Sequence, residues 1–318
     1  MSEPFPLREE KKKMARIIRQ NKIEAIDYTE NVRVTKMGNI IEVQQSNIRG
    51  KGGKIKKINK DEYIDTETGE IKKFNKHNRT SRKENYNSLY QTFRKAKEII
   101  NSNFKGVNYT TWITLTYKDV MNDIKQFDKD FETFMKRIRR KFPNNKVKYF
   151  TALEFSANGG FHCHCLLYWD SKAPKFTDED LSNFWKKGFS YIKSLKNISS
   201  IRNIGAYLTS HLTDMPLEEY ETINSDIDLK AIKTVNVDNQ TKRIVKNARL
   251  ELYPPNFRIF RHSRGMEKGD KQYMKYSDAM EIIENSDLYI SYAGSMVIEA
   301  DGITISQKYK YFEPLVAE

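Results

Sequence analysis

The segment Gly160-Phe-His-Cys-His-Cys165 places two imidazoles one residue apart. On a β-strand side chains alternate between faces, so His162 and His164 share one face while Cys163 and Cys165 take the other. That alternation rules out a zinc site built from all four, and it gives the two cysteines poor geometry for bridging each other. Two imidazoles on one face can instead grip a single ion. Paired histidines in a sheet are ordinarily structural, but the preceding segment changes the balance. If Ser156 to Gly160 turn the chain so that Phe155 pairs with Phe161, Glu154 falls opposite His162, with Cβ atoms about 5 Å apart. Two imidazoles and a carboxylate leave coordination positions open, as a catalytic cation needs if water or a phosphate oxygen is to bind. One oxygen ligand in a phosphoryl-transfer role suits Mg²⁺ or Mn²⁺.

Such chemistry also needs a nucleophile. After Ser200, Ile201, Ile204, Leu208 and Leu212 make the apolar stripe of a helix, and Asn203, Tyr207, His211 and Asp214 flank it at helical spacing. A tyrosine at a helix rim is ordinarily packing, and the chain holds 18 tyrosines, so position alone does not single out Tyr207.

The elements that must hold these residues are readable in the middle third. Trp112-Ile-Thr-Leu-Thr-Tyr117 alternates like a strand. Ile124, Phe127, Phe131, Phe134, Met135, Ile138 and Phe142 mark one face of a helix closed by Pro143. Strands at 147–155 and 161–169, a helix near 178–187, a strand near 189–195 and the helix after Ser200 complete a βαββαβ order. The fold class expected is α+β, with a central antiparallel sheet flanked by helices. Ser81 and Glu84 form a capping box ahead of a further helix. Four parts are expected: 1–80, a basic N-terminal extension that contacts DNA; 81–215, the site-bearing domain; 216–248, a loop or insertion; and 249–318, a β-rich C-terminal part with turns at Ala293-Gly294 and Asp301-Gly302.

Composition sets the outer limits. The 318 residues carry a formal charge of +14, with 38% hydrophobic and 31% charged side chains, which excludes collagenous, low-complexity and wholly disordered chains. Residues 1 to 100 hold 24 basic and 14 acidic side chains, the uneven distribution expected of a phosphate-backbone binder. Arg49-Gly-Lys-Gly-Gly-Lys-Ile-Lys-Lys57 is a basic loop lacking the spacing of a phosphate-binding P-loop, so no built-in NTPase is expected. No stretch approaches the ~20 apolar residues of a membrane span. Charges stand where a signal peptide would be apolar, so a cytoplasmic protein with no membrane partner is expected.

Thr114-Leu-Thr-Tyr117, then Glu154 with Gly160-Phe-His-Cys-His164, then Asn203-Ile-Gly-Ala-Tyr-Leu-Thr-Ser-His211 resembles the three ordered motifs of HUH-type rolling-circle replication initiators. The chain most resembles the Rep proteins of small plasmids and phages of Gram-positive bacteria, and Leu250-Glu-Leu-Tyr-Pro-Pro255 with Arg261-His-Ser-Arg-Gly265 extends the likeness. The resemblance implies a split-βαβ, ferredoxin-like HUH domain with N- and C-terminal extensions. It makes His162 and His164 the paired metal ligands, with Glu154 as the third. Tyr207 becomes the residue that attacks the scissile phosphodiester, leaving a 5′-phosphotyrosine and a 3′-hydroxyl primer. Single-stranded or hairpin origin DNA would be the substrate, with a host helicase and DNA polymerase as partners. Many relatives carry Tyr-x-x-Lys-Tyr where this chain has Tyr207-Leu-Thr-Ser-His211, so single-tyrosine chemistry is expected. His211 is then a candidate base at termination or a structural histidine. Relaxases and transposases share this chemistry, and a non-catalytic origin-binding regulator is the alternative outside enzymes.

Overall fold

A computed structural model describes residues 16–20, 25–47, 55–59, 61–74, 86–195, 201–224, 232–237, 240–300 and 303–314. The chain divides into two units, one holding 77–270 and the other combining 1–35 and 41–76 with 271–315. The chain opens with β1 (Arg16–Gln20), β2 (Asn31–Met37), β3 (Ile40–Ser46), β4 (Ile55–Lys57), β5 (Glu62–Asp65) and β6 (Ile71–Lys73). There follow α1 (Tyr86–Asn103), β7 (Thr110–Leu115), α2 (Ile124–Lys141), β8 (Val147–Phe155), β9 (Phe161–Trp169), α3 (Asp178–Trp185), β10 (Ser190–Lys193) and α4 (Ile201–Thr213). Then come β11 (Met215–Pro216), α5 (Leu217–Glu221), β12 (Ile232–Val237), β13 (Gln240–Val245) and β14 (Phe260–His262). The last elements are β15 (Asp270–Lys275), α6 (Tyr276–Glu284), β16 (Tyr289–Ala300) and β17 (Ile303–Glu313).

In the unit 77–270 the main sheet runs β10-β7-β9-β8-β14, with every neighbouring pair antiparallel. α2 leads from β7 to β8, and β9 lies between them. Both central strands are apolar on nearly every residue because helices cover both faces. On one face Phe127 of α2 meets Phe161 edge-on at 5.5 Å, and Phe131 meets Tyr149 at 4.9 Å. The other face carries α1 and α4, with Tyr168 Oη donating to the Ile100 carbonyl at 3.5 Å.

The expected stripes are the buried ones: Phe127, Phe131, Phe134, Met135 and Ile138 on α2, and Ile204, Leu208 and Leu212 on α4. Each contributes about 1.5–3 kcal/mol of burial. Asp123 caps α2 by accepting from the amides of Lys125 and Gln126, while Arg139, Arg140 and Lys141 face the negative end of its dipole. Gly205 lets α4 lie close against α1, since a Cβ there would come within 2.9 Å of Lys97 Cγ. Cys163 and Cys165 are free thiols, both buried and pushed up by burial.

Segment 216–248, expected as a loop, forms α5 and a small sheet, β11-β13-β12, with its own core of Met215, Leu217, Val245 and Ala248. The site-bearing unit also extends past 215 as far as β14, which pairs with β8.

The second unit joins the N-terminal and C-terminal segments that the sequence set apart. Its six-stranded sheet runs β1-β16-β17-β3-β2-β15, and α6 covers one face over Val32, Val34, Ile41, Val43 and Phe312. β16 runs through Ala293-Gly294 without the expected turn, because Gly294 pairs with Tyr309 in a continuous ladder. The expected capping box at Ser81 and Glu84, the turn at Asp301-Gly302 and most of the basic loop 49–57 lie outside the described residues.

Candidate metal centre

β8 and β9 pair with Phe155 opposite Phe161, so Glu154 stands opposite His162 and Ala152 opposite His164, the register that the five-residue turn predicts. The turn closes through Ser156 N–H donating to the Gly160 carbonyl at 2.9 Å, with Gly159 in the left-handed region at φ +82°. Glu154 reaches diagonally rather than straight across. Its Oε2 lies 2.5 Å from His164 Nε2, a diagonal that long side chains span on an antiparallel pair.

β7 sets Thr114 opposite His164, with Oγ1 3.2 Å from Nδ1. With Nε2–H donating to the carboxylate, Nδ1 accepts the threonine hydroxyl, a tautomer assigned from the hydrogen-bond network. α4 adds His211, its ring centroid 5.2 Å from that of His164. The ligand atoms of Glu154, His164 and His211 all lie within 4.8 Å of one another, a spacing that could hold a metal ion.

The structure thus brings together Glu154, His164 and His211. His162 shares their face of the sheet and is half-buried, but it stands beside this trio rather than in it. The backbone of Tyr207 lies in α4 one helical turn before His211, and its side chain is outside the described part of the structure. A carboxylate oxygen with two imidazole nitrogens is a fitting donor set for a divalent cation. Such an ion would take the place of the proton between Glu154 and His164, so binding should release protons.

Burial opposes ionisation of Glu154, yet the His164 hydrogen bond and charge, with the Arg249 guanidinium, hold its carboxyl down to about 2. Arg249 was not singled out from sequence. It is 2% exposed, and its Nη2 lies 3.0 Å from Glu154 Oε1 and 2.9 Å from Glu219 Oε2. Its Nε donates to the Asp214 carbonyl at 3.1 Å, and Nη1 donates to the Phe155 carbonyl. Glu219 in turn accepts the Ala157 amide in the β8–β9 turn at 2.9 Å. One buried guanidinium therefore ties the 216–248 segment to the metal-facing carboxylate. Tyr253 Oη also braces β8, donating to the Leu153 carbonyl at 3.0 Å.

Burial, with His164 beside it, brings His211 down to about 4, and burial also lowers His162, with Glu154 pulling the other way. His211 is therefore neutral at pH 7, with a lone pair to offer. A histidine whose pKa is depressed on folding takes up its proton more readily unfolded, so folding stability falls as pH drops from 6.5 towards 4. His211 alone should cost up to about 3 kcal/mol across that window. Urea unfolding in EDTA at pH 7 and pH 4.5 checks this, and His211→Gln should flatten the difference.

Residues 110–215, about a third of the chain, match the model of a replication-associated protein family, the ORF2 type. The match supports a replication initiator of the Rep type, spans the strands and α4 helix that carry the trio, and points to DNA as the partner. No curated protein and no solved structure matches the chain. No helix among the described residues is long and apolar enough to cross a membrane.

Proposed function

We propose that the chain initiates rolling-circle replication as an HUH-type nicking and joining enzyme. One juxtaposition carries the reading: Glu154, His164 and His211 converge on the sheet spanned by the family match, and α4, which supplies His211, bears Tyr207 one turn earlier. The antiparallel order β10-β7-β9-β8, with α2 crossing from β7 to β8 past β9, supports a split-βαβ HUH domain.

In this reading the Tyr207 hydroxyl attacks the scissile phosphorus, the bond to the 3′ oxygen breaks, and a 5′-phosphotyrosine and a free 3′-hydroxyl result. The ester conserves the bond energy for rejoining, consistent with the lack of a P-loop motif in the sequence. Glu154 and His164 hold the cation, Mg²⁺ or Mn²⁺, which when bound polarises a non-bridging phosphate oxygen. Thr114 fixes the His164 ring, and Arg249 keeps Glu154 ionised and aimed at it. The nucleophile needs unpaired DNA, so the substrate is a single strand or an extruded hairpin at the origin, with host helicase and polymerase acting on the 3′ end.

His162, implied as a ligand by the resemblance, and His211, of the close trio, compete for the remaining coordination position. As a ligand His211 has no lone pair left to act as a base. The geometry favours His211 as the ligand: His211→Ala should weaken Mn²⁺ binding by about 100-fold, and His162→Ala by less than about tenfold, in isothermal titration calorimetry.

Incubation with a random single-stranded DNA library tests the function without knowledge of the origin. A covalent protein–DNA adduct should form with Mg²⁺ or Mn²⁺ and vanish in EDTA, and mass spectrometry should place the nucleotide on the peptide containing Tyr207. No adduct in either metal would end the nicking reading.

A further inference from the structure

β10 is the edge strand beside β7, and its register sets Tyr191 opposite Thr114 and Lys193 opposite Trp112. Thr114 is the residue that touches His164, so Tyr191, Thr114 and His164 form one row across the metal-facing side of the sheet. Phe189 shares that side two residues earlier. Its carbonyl accepts both the amide and the hydroxyl of Thr116, at 2.9 and 2.8 Å, which fixes its backbone to the sheet. The rings of Phe189 and Tyr191 lie 5.8 Å apart at 37°. Phe189 is 67% exposed, a large apolar ring held rigidly in solvent where it adds little to the core. Lys193 Nζ sits 5.7 Å over the Trp112 ring, and its charge reaches His211.

We propose that Phe189 and Tyr191 form a stacking platform for bases of single-stranded DNA, with Lys193 neutralising a phosphate of the same strand as it runs towards the trio. This rests on the nicking reading above. Three features choose the occupant. Alternate residues of one strand present two aromatic faces and then a cation, the combination that binds bases and backbone together. The row is continuous with the metal-facing side chains, and the chain carries a charge of +14, complementary to a polyanion. A protein partner would use the rings but not this continuity with the site.

The test is fluorescence anisotropy of the full chain with labelled oligo(dT) in EDTA, where no strand is cut. Phe189→Ala should weaken binding by roughly 5- to 150-fold. Phe189→Leu, which keeps apolar bulk but lacks a π face, should weaken it comparably, and Phe189→Tyr should restore it. Lys193→Gln should reduce the slope of log affinity against log salt by about 0.7. Unaltered affinity in both Phe189→Ala and Phe189→Leu would overturn the platform and leave the nicking reading standing. Failure of the unsubstituted protein to bind the single strand would overturn both.

Discussion

Tyr207→Phe is expected to lower the rate of covalent attachment to DNA by at least about 10³-fold, because the substitution removes the attacking atom and nothing else. Phenylalanine and tyrosine have similar helix propensity and shape, so α4 and its buried Ile204, Leu208 and Leu212 should be undisturbed. Affinity for a single strand should stay within about twofold. The phenol is a poor nucleophile at its ordinary pKa near 10, so its reactivity depends on charge compensation at the phosphate. Glu154→Gln should therefore slow attachment while leaving the attacking hydroxyl in place. Single-turnover cleavage of a labelled strand on a denaturing gel separates these cases. Attachment by Tyr207→Phe at the unsubstituted rate would move the nucleophile to another of the 18 tyrosines.

Arg249→Met should cost about 3–5 kcal/mol of folding stability, the typical penalty for stranding a buried charge. Methionine matches much of the arginine stem, so the loss would come from the charge and its hydrogen bonds rather than from a cavity. The guanidinium serves Glu154 and Glu219 at once and also donates to the carbonyls of Phe155 and Asp214. Arg249→Lys should fail nearly as badly, since a single ammonium cannot reproduce the planar fork. Glu219→Gln in the Arg249→Met background should restore part of the stability by removing one stranded carboxylate. Urea denaturation at pH 7 measures all three. A loss below about 1 kcal/mol would mean that Glu154 finds another partner when the guanidinium is gone.

Local patterning was enough to read the strands that carry the site. The turn at Ser156–Gly160 and the alternation on either side fixed the 154/162 register, because side-chain direction in a strand follows from sequence spacing alone. The apolar stripes of α2 and α4 were legible for the same reason. What escaped depends on contacts between distant segments. His211 meets His164 only because α4 docks over β9, and the choice of His164 over His162 as Glu154's partner is a matter of diagonal reach. Arg249 looks like one of many surface cations until β14 and α5 enclose it. The sheet at 215–245 was hidden by a polar composition, although Ile232-Lys-Thr-Val-Asn-Val237 does alternate. The pairing of β3 with β17 joins Glu42 to Tyr311, a separation that no local window can register.

That last pairing bears on how the molecule is made. During synthesis β2 and β3 leave the ribosome long before β16 and β17, so their hydrogen-bonding edges and the apolar side chains of Val32, Val34, Ile41 and Val43 must wait for the final strands. The unit bearing the trio, contiguous from 77 to 270, has no such delay and can complete its own sheet first. A ribosome stalled after Asp270 would thus display a finished metal-facing unit beside an orphaned half-sheet, the half that a chaperone would need to shield.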